Sequence, residues 1–288
     1  MEQLSVASYA KINLGLRILR RREDGYHDIE TVLQTIDLAD CLSFSLIETT
    51  DILITASHTA IPTDQSNLCF RAALLLRESA QICKGCRIHI KKKVPVGAGL
   101  GGGSSNAAAA LLALNQLWKV DCSSSQLVEL AKQLGSDVPF FLHPGTALAT
   151  GRGEILKYFN PTWDYYVVVV YPKILISSHW AYENYKINLT NSKKDVKLDS
   201  YLSHKIQLYE FARLFKNDFE KIVFVHYPWL QVIKENIQRS GAFYASLSGS
   251  GSAIYGLFMN KSDAESVYYH FKKQYPTFLA KPILPSWA

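Results

Sequence analysis

The sequence of 288 residues lacks a hydrophobic run long enough to cross a membrane. Its longest apolar stretches, residues 107–114 and 165–171, are far shorter than the roughly 20 residues that a transmembrane helix needs. The first 22 residues also lack the apolar core of a secretory signal. These absences predict a soluble, cytoplasmic protein without a membrane partner.

A strong charge of either sign is also missing, because 31 Lys and Arg residues oppose 25 Asp and Glu residues. The basic residues are spread along the chain, so a nucleic-acid-binding surface is not predicted. A net charge of +6 suits a small anionic ligand as well as a solvated basic surface.

Cysteine is scarce and odd in number. The chain has five cysteines, and the pair Cys83 and Cys86 has no second CxxC partner, although His89 follows nearby. A zinc or redox site is therefore disfavoured, and we expect ordinary thiols in a reducing compartment.

What the chain does contain is typical of a globular protein with both strands and helices. A change of composition near residues 150–160 predicts two domains, 1–155 and 156–288. Residues 145–153 are expected to be a loop, residues 186–205 polar and irregular, and residues 23–25 a turn. Strands are predicted before and after that turn and at 42–47, 51–55, 86–94, 164–172 and on both sides of residues 248–252. Helices are predicted at 67–81, 104–118, 123–134, around Pro139 and at 211–237.

Five glycines occupy residues 97–103, between a predicted strand and a predicted helix. Ordering glycine costs more backbone entropy than ordering any other residue, so such a cluster indicates a function for the backbone. Free N–H groups and the dipole at a helix N-terminus bind phosphate, and Lys91, Lys92 and Lys93 add positive charge. A tight turn without a ligand is the alternative.

The two best-known phosphate loops do not fit this stretch. A Walker A loop needs a lysine after the last glycine, where this chain has Ser104. Gly97, Gly99 and Gly102 match the dinucleotide pattern, but the acidic residue that follows, Asp121, lies between two predicted helices instead of at the end of a strand. A second glycine element, residues 248–252, is either a hairpin turn or a second grip on phosphate.

Three segments, AKINLGLRILRRREDGYHDIETV, PVGAGLGGGSSNAAAALLALN and SLSGSGSAIYGLF, resemble in this order the motifs of the GHMP kinases, a superfamily of small-molecule ATP kinases. The resemblance implies an α+β fold of two domains, with mixed and antiparallel sheets covered by helices and the active site in the cleft between the domains. The D-G-Y-H and L-G-x-D-V-P-F-F segments are most similar to the kinases of isoprenoid (terpenoid) biosynthesis, transferases whose substrate is a small alcohol carrying cytidine diphosphate.

The resemblance also implies the catalytic residues. Asp137 is expected to accept the proton of the substrate hydroxyl, and Lys11 to lie close to it and keep it ionised. Asn13, on the same strand face as Lys11, would bind the substrate. For Asp137 the alternative is an N-cap of the short helix that contains Pro139.

The remaining expected site residues follow from the same resemblance. Tyr26 and His27 would read the cytosine with Tyr182 on its other face, although core packing is an alternative for Tyr26 and His27. Gly249, Ser250 and Gly251 would close over the substrate, and Ser105 would reach Mg²⁺. The residues expected to hold ATP are Asn67, Lys93, Pro95, Val96, Gly97, Ala98, Gly99, Leu100, Gly101, Gly102, Gly103, Ser104 and Ser105.

Two other functions stay open at this point. The chain could be a GHMP kinase for homoserine, mevalonate or a sugar, although an aromatic pair such as Tyr26 and His27 suits a nucleobase better. It could also be a non-catalytic ATP sensor or RNA-binding module, against which the presence of Lys11 and Asp137 argues.

Overall fold

The computed structural model describes residues 3–161, 164–185 and 210–284. The segment predicted to be polar and irregular, 186–205, lies outside the described residues. Among the residues described, no helix combines the length and apolar character that crossing a bilayer requires.

The first sheet is mixed and has six strands in the described part of the chain. The strands are β1 Gln3–Arg21, β2 His27–Ile47, β3 Ile52–Ala56, β4 Gly85–Lys91, β5 Thr146–Thr150 and β6 Ile155–Phe159. They pair in the order β3-β4-β2-β5-β6, and β1 pairs with β2. β3 and β4 are parallel, whereas β2 is antiparallel to β4 and to β5, and β5 is antiparallel to β6.

Sequence pattern explains the start of this sheet better than its end. The predicted turn at residues 23–25 is confirmed, with Gly25 at φ +83°. The predicted loop at 145–153 is wrong, because Thr146–Thr150 forms β5. This strand lies between β2 and β6, so pairing on both edges holds a segment that its flanking glycines had suggested was irregular.

The second sheet is antiparallel, and its strands are β7 Tyr166–Val170, β8 Tyr244–Leu247, β9 Ile254–Phe258 and β10 Thr277–Ala280. They pair in the order β10-β7-β9-β8. The centre of the sheet is apolar, since residues 167–170 of β7 are fully buried valines. The prediction of a strand, a glycine turn and a second strand around residues 248–252 is confirmed by β8 and β9.

The helices of the first half of the chain begin close to the capping residues in their sequence. Asn67 caps the first helix through its side chain, and Ser123 with Gln126 forms a capping box on the third. The second helix begins at Gly102, two residues before its predicted start. These helices are α1 Leu68–Ser79, α2 Gly102–Trp118 and α3 Ser124–Leu134, followed by a 3₁₀ helix at Pro139–Leu142.

The helical character predicted at 211–237 is confirmed, and the structure divides this range into three short helices. Pro228 begins the third of them because a proline has no N–H to continue the helix before it. Residue Asn217, between the first and second, forms a bridge to Leu16 of β1. The helices of the second half are α4 Ser178–Asn184, α5 Phe211–Leu214, α6 Glu220–His226, α7 Pro228–Arg239 and α8 Lys261–Lys272.

The chain forms two compact units. The first comprises Met1–Ala10, Ala39–Val96 and Gly101–Pro144, and its core is packed from α1, α2 and α3. The second comprises Lys11–Leu38, Gly97–Leu100 and Gly145–Ala288, with α7 and α8 packed on the second sheet. The domain boundary predicted near residue 155 stays a prediction.

Candidate active site

Lys11 is a buried lysine on β1 of the second unit, only 4% exposed. Burying an ammonium group is costly unless oxygen atoms replace its water. Lys11 Nζ donates to Asn13 Oδ1 at 2.6 Å and to the carbonyl oxygen of Gly99 at 3.0 Å. Lys11 is therefore in direct contact with Asn13, another residue expected in the site, and with the first glycine stretch.

The Gly99 carbonyl is also where the two glycine elements meet. Ser248 Oγ donates to it at 2.9 Å, and the Ala253 N–H donates to the Ala98 carbonyl at 3.1 Å. Gly99 has φ +76°, and a Cβ there would lie 2.0 Å from the Ser248 carbonyl oxygen. Only glycine allows this approach. The three segments that carry the family resemblance thus meet in one unit.

The backbone of the second glycine element is held by a residue that the sequence did not indicate. Asn217 is buried, and its Nδ2 donates to the carbonyl oxygens of Leu247 and Gly249, each at 2.8 Å. Ser250 Oγ lies 3.0 Å from Ser178 Oγ. No motif or spacing marks Asn217, because the groups that it binds are about 30 residues away along the chain.

Each of the three expected cytosine-binding residues has an aromatic or cationic neighbour. His27 stacks on Tyr182, with ring centroids 5.0 Å apart and planes inclined by 13°. Tyr26 is 56% exposed, and the Arg152 guanidinium lies 4.9 Å from its ring centroid. Partial burial, and then the charge of Arg21, lower the pKa of His27 below its usual value of about 6.5. Its imidazole is therefore neutral at pH 7.

In the first unit, the N-terminus of α2 has the geometry of an anion site. Gly101, at φ +70°, is its N-cap and provides no side chain to accept from the first N–H groups of the helix. A Cβ on Gly102 would lie 2.9 Å from Lys92 Nζ, so a lysine ammonium lies beside this helix end. Lys93, which was expected at the adenosine, is exposed.

A buried carboxylate, Asp40, organises the chain around this helix end. It forms an ion pair with Lys92 and accepts from Asn106 Nδ2 at 2.9 Å and from the backbone N–H groups of Lys93 and Val94. Asn106 Nδ2 also donates to Ser8 Oγ at 2.8 Å. Sequence reasoning missed Asp40, since its partners lie more than 50 residues away.

Ser105, the expected Mg²⁺ ligand, belongs to the same network. It is buried, and its Oγ accepts from Ser8 Oγ at 2.7 Å. The hydroxyl retains its own proton and one lone pair, which could serve a phosphate oxygen or a cation. In the described part of the chain, no group of three or more His, Cys, Asp and Glu side chains could hold a metal ion.

Asp137 lies immediately before the 3₁₀ helix and is half-buried. The N-cap of that helix is Val138, and no side chain caps it. The N-cap interpretation of Asp137 is therefore wrong, whereas its expected role as proton acceptor stays a prediction. Asn67 has a structural role, since its amide accepts from Cys69 N–H at 2.8 Å and donates to the Pro62 carbonyl at 2.6 Å.

The expected site residues are divided between the two units. Those of the first unit are Asn67, Lys93, Pro95, Val96, Gly101, Gly102, Gly103, Ser104, Ser105 and Asp137. Those of the second unit are Lys11, Asn13, Tyr26, His27, Gly97, Ala98, Gly99, Leu100, Tyr182, Gly249, Ser250 and Gly251.

The five cysteines are free thiols. Burial raises the pKa of Cys86 to about 12, so this thiol stays protonated and is a poor nucleophile or metal ligand. The other member of the CxxC pair, Cys83, is exposed.

Comparison with known proteins identifies relatives over nearly the whole chain. Residues 67–145 match the family model of the GHMP kinases N terminal domain, and residues 201–277 match that of the GHMP kinases C terminal. A protein of Chlorobium phaeobacteroides (strain BS1), 4-diphosphocytidyl-2-C-methyl-D-erythritol kinase, is 44% identical over 98% of both chains.

Solved structures agree with this comparison. A crystal structure of 4-(cytidine 5'-diphospho)-2C-methyl-D-erythritol kinase, 31% identical, superposes with a TM-score of 0.81 over 97% of this chain and 99% of the other. Homoserine kinase from Cytophaga hutchinsonii has a TM-score of 0.79 over 99% of this chain and 96% of its own, at 18% identity. That second similarity shows the fold alone.

Proposed function

The chain belongs to the GHMP kinases, and from this premise we propose that it uses ATP to phosphorylate the 2-hydroxyl of 4-diphosphocytidyl-2-C-methyl-D-erythritol. One observation carries the proposal. Lys11, Gly99 and Ser248, one from each of the three family segments, meet at a single carbonyl oxygen. The product would be a precursor in non-mevalonate isoprenoid biosynthesis.

The ATP phosphates are assigned to residues 95–105. The N-terminus of α2 supports this, because its first N–H groups have no side-chain cap and the glycines allow a close approach. Lys92, whose ammonium lies beside Gly102, is paired with Asp40, and this carboxylate fixes the chain before the glycines by accepting from the N–H groups of Lys93 and Val94. Ser105 Oγ is a candidate ligand for the Mg²⁺ that would accompany the nucleotide, with phosphate and water oxygens supplying the other ligands.

Proton transfer is assigned to Asp137. A carboxylate that accepts the hydroxyl proton typically contributes about 10²–10⁴-fold to the rate. Lys11 supplies a positive charge that stabilises the anionic groups of the reaction, and its hydrogen bonds to Asn13 and Gly99 hold that charge in place.

Recognition of the cytosine is assigned to His27, Tyr26 and Tyr182. A neutral imidazole has one donor and one acceptor nitrogen, which suits the mixed edge of a base. The exposed ring of Tyr26 offers a surface on which a nucleobase can stack, whereas a small aliphatic alcohol has no ring to stack there. This pair of features favours the cytidine-linked substrate over homoserine or mevalonate. A cytoplasmic location is part of the proposal, in keeping with the free thiols.

The experiment is an assay of ADP formation with ATP, Mg²⁺ and each of three alcohols: the cytidine-linked substrate, homoserine and mevalonate. We expect turnover with the first alone.

Asp137→Asn should lower kcat by about 10²–10⁴-fold with little change in ATP affinity. The matched control is Asp121→Asn, an exposed residue at φ +57° that asparagine also tolerates, and it should keep full activity.

Two results would contradict the proposal. Absence of ADP above background with the cytidine-linked substrate would exclude the function itself. Equal activity in wild type and Asp137→Asn would remove Asp137 from the mechanism without changing the substrate assignment.

A further inference from the structure

The side chain of Asn13 ends in an amide, which has one acceptor atom and one donor atom. The oxygen accepts hydrogen bonds and the nitrogen donates them, and the torsion that exchanges them is broad. The oxygen end accepts from Lys11 Nζ at 2.6 Å. This single hydrogen bond does not fix the rotation of the Asn13 side-chain amide, so its orientation depends on a second contact.

Thr31 on β2 provides that second contact. Asn13 Nδ2 lies 3.0 Å from Thr31 Oγ1, and Thr31 Oγ1 lies 2.5 Å from the carbonyl oxygen of Gly15. A carbonyl oxygen can only accept, so the single hydroxyl proton of Thr31 points at Gly15. The Thr31 oxygen must then accept from Asn13, which assigns the nitrogen end of the amide to Thr31.

The surroundings keep this arrangement in place. Thr31 is 1% exposed, so water does not compete for its hydroxyl. Gly15, at φ +69°, has a backbone conformation that strains other residues, and a Cβ there would lie only 3.0 Å from the Phe215 Cα. The Tyr255 hydroxyl donates to the Asn13 carbonyl at 2.7 Å and holds the backbone of Asn13.

The amide so oriented lies beside the second glycine element. A Cβ on Gly249 would lie 3.4 Å from Asn13 Oδ1. Among the described residues, no group other than Thr31 accepts a hydrogen bond from Asn13 Nδ2, which has two protons. The second proton is therefore available to a ligand oxygen.

We propose that Thr31 is a positioning residue, which orients the Asn13 amide so that its oxygen holds the Lys11 ammonium and its second N–H faces the alcohol substrate. The inference rests on the proposed function of this site. Thr31 itself acts through Asn13 and touches neither the substrate nor the nucleotide.

Three variants test this role by steady-state kinetics. Thr31→Val keeps the shape but removes the hydroxyl, and a misplaced substrate contact should lower kcat/KM for the alcohol by about 10- to 100-fold. KM for ATP should stay within about twofold, because the contact concerns the acceptor substrate. Thr31→Ser, which retains the hydroxyl, should restore most of the activity. Thr146→Val is the matched control, since it also removes a buried hydroxyl, one that donates to Gln34 at 2.7 Å.

A second readout does not depend on activity. Of the two Asn13 side-chain amide protons, assigned by NMR through their loss in Asn13→Ala, the one bonded to Thr31 should exchange with solvent more slowly than the other in the wild type and in Thr31→Ser. This comparison within one amide needs no Thr31→Val protein, so it tests the inference even if that variant fails to fold.

If the wild type forms no ADP, the proposed function fails, whereas unequal exchange of the two protons would still support the orientation by Thr31. Equal exchange of the two protons in the wild type, full activity of Thr31→Val, or an equal loss in Thr31→Ser would each overturn the inference.

Discussion

At the scale of single residues, the two buried lysines show how a costly charge is made tolerable. Lys11 Nζ donates to the oxygens of Asn13 and Gly99, and Lys92 forms an ion pair with the carboxylate of Asp40. A buried ammonium without such partners would be strongly destabilising. Asn13 lies in the same segment as Lys11, whereas Gly99 and Asp40 are 88 and 52 residues away from their lysines along the chain.

His27 carries a pH dependence that follows from its lowered pKa. The folded protein resists protonating this imidazole, whereas the unfolded chain protonates near pH 6.5. The unfolded state therefore binds more protons in this range, and stability is lost as the pH falls from above 6.5 through the lower folded pKa. The His27→Gln variant has no imidazole at this position, so it does not lose stability in this way.

The measurement is the free energy of unfolding by urea at pH 7.5 and pH 5.5. We expect the wild type to lose more stability on acidification than His27→Gln does. An equal loss in both proteins would show that the His27 pKa is not lowered by folding, and an NMR titration of the ring would give that pKa directly.

At the scale of elements, local signals and distant contacts each decide some of the structure. The capping box of α3 lies within four residues, so it could be recognised from the sequence. The break between α5 and α6 could not, because Asn217 leaves the helix to bond carbonyls of β8 and the following loop. The same holds for β5, whose small residues become a strand only through their pairing.

Alanine substitutions at Gly99 and Gly103 test where the first glycine stretch needs glycine for close packing. Gly99→Ala combines a left-handed backbone with a Cβ 2.0 Å from the Ser248 carbonyl, and should cost at least about 1–2 kcal/mol of stability. Gly103 is the matched control, because it lies in α2 and a Cβ there would meet only the Leu68 Cδ1, at 3.8 Å. Gly103→Ala should leave stability unchanged or raise it by up to about 1 kcal/mol.

Both variants are compared by their urea unfolding midpoints. If Gly99→Ala is as stable as Gly103→Ala, the close packing of the first glycine stretch on Ser248 is not required for folding. The contact between the two glycine elements would then have to be explained by function alone.

At the scale of the whole molecule, the fold and the substrate are determined by different parts of the chain. Kinases that act on different alcohols share this fold, so the sheets and helices do not select the substrate. By our proposal the residues that do so are His27, the first residue of β2, Tyr26, which precedes it, and Tyr182 on the short helix α4.

Two ligands at separate sites should stabilise the protein independently. A non-hydrolysable ATP analogue and CDP, each at about 100 times its Kd, should each add about 2.7 kcal/mol to the free energy of unfolding. In a thermal-shift series, we therefore expect the shift with both ligands to approach the sum of the two single shifts. A combined shift no larger than the greater single one would mean that CDP competes for the nucleotide site.

The family and most of the local structure of this protein could be recognised from its sequence. The glycine stretch, the D-G-Y-H segment and the capping signals depend on neighbours in the chain, and local steric and hydrogen-bonding rules suffice to interpret them. The groups that these motifs contact could not be recognised in this way: Ser248 for Gly99, Asp40 for Lys92 and Thr31 for Asn13. A buried polar group needs a partner, and where that partner lies depends on how the strands pair and pack.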